Sequence, residues 1–164
     1  VIGLTSATAT TNVARLEGFQ KQVTSKYPGI KVVDKAYSQS QAATANTNVN
    51  NWLTKYPKLS GIFAIDGTNA TGAASALQAK GLVGKIALIG YDAYPANVDL
   101  LKQGVFTALI AQDPAAEAKQ AIDDLFTFLD TKKKDCNAHD VVIPTVALTN
   151  DPAPADLTKY THAS

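Results

Sequence analysis

FAIDGTNATGAASAL, running from Phe63 to Leu77, changes character at a single residue. Gly61 to Ile65 is a short apolar run of the kind a buried strand needs, and it stops at Asp66. After Asp66-Gly67-Thr68-Asn69, the residues Ala70, Ala73, Ala74 and Leu77 fall at helical spacing. That face is small enough to lie close to a sheet. A carboxylate at such a junction has four possible uses: helix cap, catalytic acid, metal ligand or hydrogen-bonding group for a ligand.

The same strand-then-helix unit recurs on both sides of this stretch. Val1 to Thr5 reads as a first strand, followed by a helix over about 11–27 with Val13, Leu16, Val23 and Tyr27 inward. Pro28-Gly29 ends that helix, and Ile30 to Ala36 reads as strand two. A helix over about 39–55 has Val49, Trp52 and Leu53 on its inner face, which makes Trp52 a core residue. Leu59 to Ile65, Lys85 to Tyr91 and Val105 to Ala111 give strands three to five, with helices near 68–80 and 96–102 between them. Asp113-Pro114 then starts a long helix carrying Ala118, Ile122, Leu125, Phe126 and Leu129.

Such alternation predicts right-handed crossovers and a three-layer, doubly wound parallel α/β sheet, with flavodoxin-like strand order 2-1-3-4-5. Ligands bind beyond the carboxyl ends of strands in such sheets. Three consecutive strands end there on Asp66, Asp92 and Gln112. The expected division is a ligand-binding lobe over 1–134 and a crossover strand with polar tail over 135–164. Within the second part, Val141 to Leu148 reads as a sixth extended segment. The stripe Ile122, Leu125, Phe126 and Leu129 must leave water, so the long helix is expected to fold back on this sheet or to pair with a second chain as a homodimer.

The 164 residues are 46% hydrophobic and 18% charged, with a formal net charge of +1, which argues against an electrostatic nucleic-acid binder. Lys132-Lys133-Lys134 is the only basic run and reads as a solvated helix end. A single cysteine, Cys136, allows neither an internal disulfide nor a cysteine-based zinc site, and His139 and His162 are too few for a histidine metal cluster. No metal or cofactor is expected. No apolar run reaches the roughly 18 residues of a membrane span. The chain has no Met and opens on Val1-Ile2-Gly3-Leu4, which implies a processed, proteolysed or trimmed piece of something longer.

Catalytic patterns fail one after another. Asp66-Gly67-Thr68 is no phosphate-binding glycine loop, and its carboxylate would repel phosphate. No Gly-x-Ser-x-Gly elbow is present, and neither histidine follows a core strand. A phospho-accepting regulator would want a lysine where the fifth strand ends in Ala111-Gln112. Asn69-Ala70-Thr71 matches a glycosylation sequon by chance. The expectation is therefore a binding protein and not an enzyme. Carboxylates and an amide at one sheet edge suit the hydroxyls of a sugar or polyol.

The chain from Val1 to Asp151 resembles the type I periplasmic binding proteins, the sugar-binding components of bacterial ABC transporters in the ribose and galactose group. The resemblance rests on Arg15-Leu16-Glu17-Gly18-Phe19, on Lys26 to Val33, and on Tyr56 to Ala64. It continues through Asp66 with Gly72-Ala73, Ile89-Gly90-Tyr91-Asp92 and Ile110-Ala111-Gln112-Asp113-Pro114. Family members have two similar lobes with ligand between them, and this chain looks like the second lobe. The resemblance implies ligand-binding positions at Asp66, Asp92 and Gln112, a structural role for Arg15, an ABC permease as partner of the intact protein, and a periplasmic or extracellular location, membrane-anchored lipoprotein included. The family's ribose pattern has an arginine near Val13 and an aromatic near Ser40, and this chain keeps neither, which points to a relative of ribose or a polyol. The alternative is the effector-binding domain of a LacI-type repressor, which shares the fold. A third reading is that the isolated lobe has no binding activity of its own.

Overall fold

The structure is a computed structural model; it describes residues 2–5, 10–131, 141–150 and 160–161. Lys132-Lys133-Lys134, Cys136, His139, His162 and the stretch 151–159 lie outside them. Among the described residues six strands and five helices follow in the order β1 (Ile2–Thr5), α1 (Thr10–Lys26), β2 (Asp34–Tyr37), α2 (Ala42–Lys55), β3 (Gly61–Ala64), α3 (Gly67–Ala79), β4 (Ala87–Tyr91), α4 (Pro95–Lys102), β5 (Ala108–Ala111), α5 (Pro114–Thr131) and β6 (Val146–Leu148). They form one sheet in the order β2-β1-β3-β4-β5-β6. The first five strands are parallel in the expected 2-1-3-4-5 order, and β6 adds to β5 antiparallel.

Strand alternation divides the core in two. Ile62 and Ala64 of β3 point into a large cluster with Ala45, Val49, Trp52, Leu77, Leu88 and Leu109. Phe63 and Ile65 point to the opposite face, where Leu16 and Phe19 of α1 meet them and the Phe19 and Phe63 rings stack 4.4 Å apart. All four residues of β3 are buried, as a strand covered on both faces requires.

The alanine face of α3 sets how close α2 comes. Ala70, Ala73, Ala74, Ala76 and Leu77 are all fully buried. At Gly72, a methyl group would run into the backbone carbonyl of Ala42 and lie 2.8 Å from the Ala45 methyl. Asn69 is also fully buried, so the chance reading of its sequon agrees with its position.

Four expectations are corrected. Strand two begins at Asp34 rather than Ile30, because the ladder to β1 pairs only Asp34 to Tyr37 with Ile2 to Thr5, leaving Ile30 and Val33 exposed. Val13 on α1 and Tyr27 just past its end are exposed, and only Asn12, Leu16 and Val23 of the helix are buried. Strand five spans Ala108–Ala111, while Val105 and Phe106 reach the core from the turn before it.

The largest correction is α5. It does not fold back on the sheet: none of its residues is buried, and Phe126 is 68% exposed. Its start is fixed by Asp113, itself buried, whose Oδ1 accepts the Ala116 N–H at 3.0 Å. That cap sets where the helix begins. The sheet's edge beyond β5 is taken by β6, with Leu148 fully buried and the Asn150 side-chain amide donating to the Leu101 carbonyl.

Gly72→Ala should therefore lower stability by about 1–3 kcal/mol, because the clash is with backbone and not with a side chain that can turn aside. Thermal unfolding followed by circular dichroism checks this. An unchanged midpoint would mean that α2 and α3 pack less closely than described.

Candidate functional site

The carboxyl ends of β3, β4 and β5 bring Asp66, Asp92 and Gln112 to one edge, with the first turn of α3 and the Arg15 side chain between them. Asp66 is the N-cap of α3 in extended conformation, and its Oδ1 accepts the Asn69 N–H at 2.8 Å. Its Oδ2 accepts from three side chains: Asn69 Nδ2 at 2.7 Å, Asn12 Nδ2 at 3.0 Å and Ser40 Oγ at 3.2 Å. The cap and the strand-end carboxylate are therefore the same group.

Asp92 stands just past β4, buried, with a left-handed backbone at φ 64°. Aspartate tolerates that region better than most residues. Its Oδ2 accepts the Gly67 N–H at 2.9 Å, so both acids satisfy free N–H groups of the same helix start. Negative charge is favoured there by the helix dipole as well. Asn97, fully buried, ties the same turn to α4 through the Gly67 carbonyl and the Thr71 hydroxyl.

Gln112 follows β5, and its Oε1 accepts from Arg15 Nη2 at 3.0 Å. Arg15 also donates from Nη1 to the Ile65 carbonyl at 3.1 Å, and its guanidinium lies 3.7 Å from the centre of the Tyr91 ring. One side chain from α1 thus touches the ends of β3, β4 and β5.

Tyr94 completes the edge. Its ring packs so closely on Gly67 that a methyl group there would overlap it. Burial pushes its phenol above the ordinary tyrosine range; Asp92 and then Asp66 add to this and Arg15 opposes it. The hydroxyl therefore keeps its proton at neutral pH.

The residues that sequence reasoning passed over are Asn12, Ser40, Asn69 and Tyr94, and Arg15 was assigned to structure alone. Asn12 carried a readable signal, being polar on the helix face that points inward beside Leu16. Ser40 and Tyr94 carried none, since each is an ordinary loop residue before its fold is known.

A second concavity lies at the opposite end of the strands. It is a largely apolar cavity of about 1080 Å³ lined by Phe19, Val23, Ile62, Phe63 and Ile89, with Lys55 and Lys58 at its rim. It contains none of the three site residues. Among the described residues no grouping of three His, Cys, Asp or Glu side chains could hold a metal ion. No helix among them is long and apolar enough to cross a membrane.

Comparison with known proteins agrees with this fold. Residues 1–134 match the family described as periplasmic binding protein domain. The D-ribose/D-allose-binding protein of Pseudomonas aeruginosa is 28% identical over 130 residues, 78% of this chain and 39% of that protein. The D-allose-binding periplasmic protein of Escherichia coli K12 is 31% identical over 99 residues, 60% of this chain and 30% of that protein. Among solved structures, an ABC transporter solute-binding protein of Agrobacterium vitis with bound D-fucose superposes with a TM-score of 0.83 at 25% identity, covering 98% of this chain and 55% of that one. The chain spans about a third of the length of the two curated relatives it matches and about half of that structure. The repressor alternative finds no support among these matches. With five parallel strands in the expected order and a family match over 134 of its 164 residues, the chain belongs to the periplasmic binding proteins.

Proposed function

We propose that this chain forms one lobe of a sugar- or polyol-binding protein, the solute-binding component of a bacterial ABC importer, working in the periplasm beside its permease. It acts as a binder and not as a catalyst. The observation that carries this reading is the convergence of Asp66, Asp92 and Gln112 on one sheet edge in a chain of this family. Two acceptor carboxylates and an amide match the alternating donor and acceptor character of a hydroxylated ring. The curated relatives are named for D-ribose and D-allose, and both names include allose.

The edge is an open shelf rather than an enclosure. Sites that hold small molecules well bury 70–90% or more of the ligand surface. A shelf leaves its polar groups hydrated, so exchanging water for sugar hydroxyls gains little. The isolated lobe should therefore bind D-allose or D-ribose at millimolar affinity or weaker, around −4 kcal/mol. A facing surface must close on the shelf in the working protein.

The apolar stripe of α5 supports a second contact. Ile122, Leu125, Phe126 and Leu129 are each at least 50% exposed, and burying one such side chain contributes roughly 1.5–3 kcal/mol. A second copy of the chain, packed through α5, is the proposed partner of the isolated lobe.

Two measurements follow. In calorimetric titration of the lobe and of a longer two-lobed form against D-allose, D-ribose and D-arabinose, Asp92→Asn should weaken binding by about 1–3 kcal/mol. Asparagine tolerates the positive φ and its carbonyl can still accept the Gly67 N–H, so the loss would be the ligand's and not the fold's. Binding indifferent to that change removes Asp92 from the site. Separately, sedimentation of the lobe at micromolar concentration should give a dimer, with Phe126→Asp monomeric and its circular dichroism unchanged. A monomeric wild type sinks the dimer.

A further inference from the structure

We infer that Arg15 is the positioning residue of this edge: it fixes the amide of Gln112 so that the nitrogen, and not the oxygen, is presented to a ligand. This deepens the sugar-binding reading and rests on it.

The argument begins with donor chemistry. A guanidinium carries five N–H donors and no acceptor. Whatever faces Arg15 Nη2 at 3.0 Å must accept, so the Gln112 oxygen is the atom turned toward it. The orientation of an amide is often ambiguous, but here the partner decides it. Nε2 is left on the other side, where its one acceptor among the described residues is Glu117 Oε1 at the long distance of 3.5 Å. Among the described residues one N–H has a weak partner and the other is left to donate outward.

Arg15 itself is held by two groups besides Gln112. Its second nitrogen is bonded to the Ile65 carbonyl, and the guanidinium carbon lies 3.7 Å over the centre of the Tyr91 ring. Ile65 precedes Asp66 and Tyr91 precedes Asp92, so the group that orients Gln112 is anchored to the strands carrying both acids. The edge then has a fixed polarity, with two carboxylates accepting and one amide donating. A ligand must offer hydroxyl protons to Asp66 and Asp92 and an oxygen lone pair to Gln112. Lysine has one nitrogen and no plane, and cannot serve the Ile65 carbonyl, the Gln112 oxygen and the Tyr91 ring together.

A purely structural arginine would affect only thermal stability, so the test reads the amide directly. The side-chain NH₂ signals of Gln112 are identified in an ¹⁵N-labelled sample of the chain by their loss in Gln112→Glu. In the wild type without sugar they should sit away from the free-glutamine position, and Arg15→Lys should return them to it while the backbone spectrum keeps its dispersion. Titration with D-allose or D-ribose should move the wild-type signals, and affinity should fall roughly tenfold in Gln112→Glu, which keeps the oxygen for Arg15 but removes the donor. Arg15→Lys should weaken binding less, and Gln112→Glu should not lower the unfolding temperature. Wild-type amide signals already at the free position, or unmoved by Arg15→Lys, overturn the positioning role. Undiminished sugar affinity in Gln112→Glu overturns the donor assignment. If no sugar of the panel moves any wild-type signal while Arg15→Lys still releases the amide, the sugar reading fails and the Arg15–Gln112 clamp stands.

Discussion

The start of α3 is the constraint around which the site is built. A helix leaves its first N–H groups without partners inside the helix, and a buried start must find them elsewhere. Here Asp66 takes the Asn69 N–H and Asp92 takes the Gly67 N–H, one acid from each of two adjacent strand ends. The first bond is local, whereas the second joins sequence-distant pieces: the end of β4 reaches α3 across 25 residues through Asp92. The carboxylates assigned to recognition are also what hold the helix in place. Removing either one whole would disturb the fold and the edge together, so substitutions that keep an acceptor are the informative ones.

Around that start the other contacts form a second tier. Asn12 and Ser40 approach Asp66 from α1 and from the turn after β2, and Tyr94 closes on Gly67 from the start of α4. Arg15 then links the ends of β3, β4 and β5. A guanidinium over an aromatic ring contributes about 0.5–2 kcal/mol depending on how dry it is. Its larger effect is geometric, because a planar group with three partners has one orientation.

What the sequence displayed was local. The apolar run of β3, the alanine face of α3, the capping acids at Asp66 and Asp113 and the burial of Trp52 depend on neighbours within a few residues. Strand order followed from the alternation of elements and the handedness of crossovers. The Arg15 contacts did not follow, because they span 50 and 97 residues and are set by where α1 lands on the sheet. Strand two began later than its apolar run, since an edge strand pairs only where its single neighbour is extended. For α5, periodicity identified the apolar face but carried no information on what that face meets. Its start is set by the buried cap at Asp113, and β6, not α5, takes the edge of the sheet.

Backbone strain follows the same map. Among the described residues, three that are not glycine have positive φ: Gln39 at 54°, Ser40 at 53° and Asp92 at 64°. Such conformations cost on the order of 1–3 kcal/mol each and persist where surrounding contacts enforce them. Two of the three have a side chain bonded directly to Asp66 or to the first turn of α3. The loop after β2 and the corner after β4 are thus bent toward the start of α3 against local preference, and the bonds to it offset the bend. Strain placed at a strand's carboxyl end, where the fold class puts its ligands, fits a preorganised binding edge better than a structural corner. A corner needed only to reverse the chain could use glycine, as the turns at Gly81, Gly84 and Gly104 do. At position 92 the chain carries instead a residue whose backbone resists the turn and whose carboxylate the helix start requires.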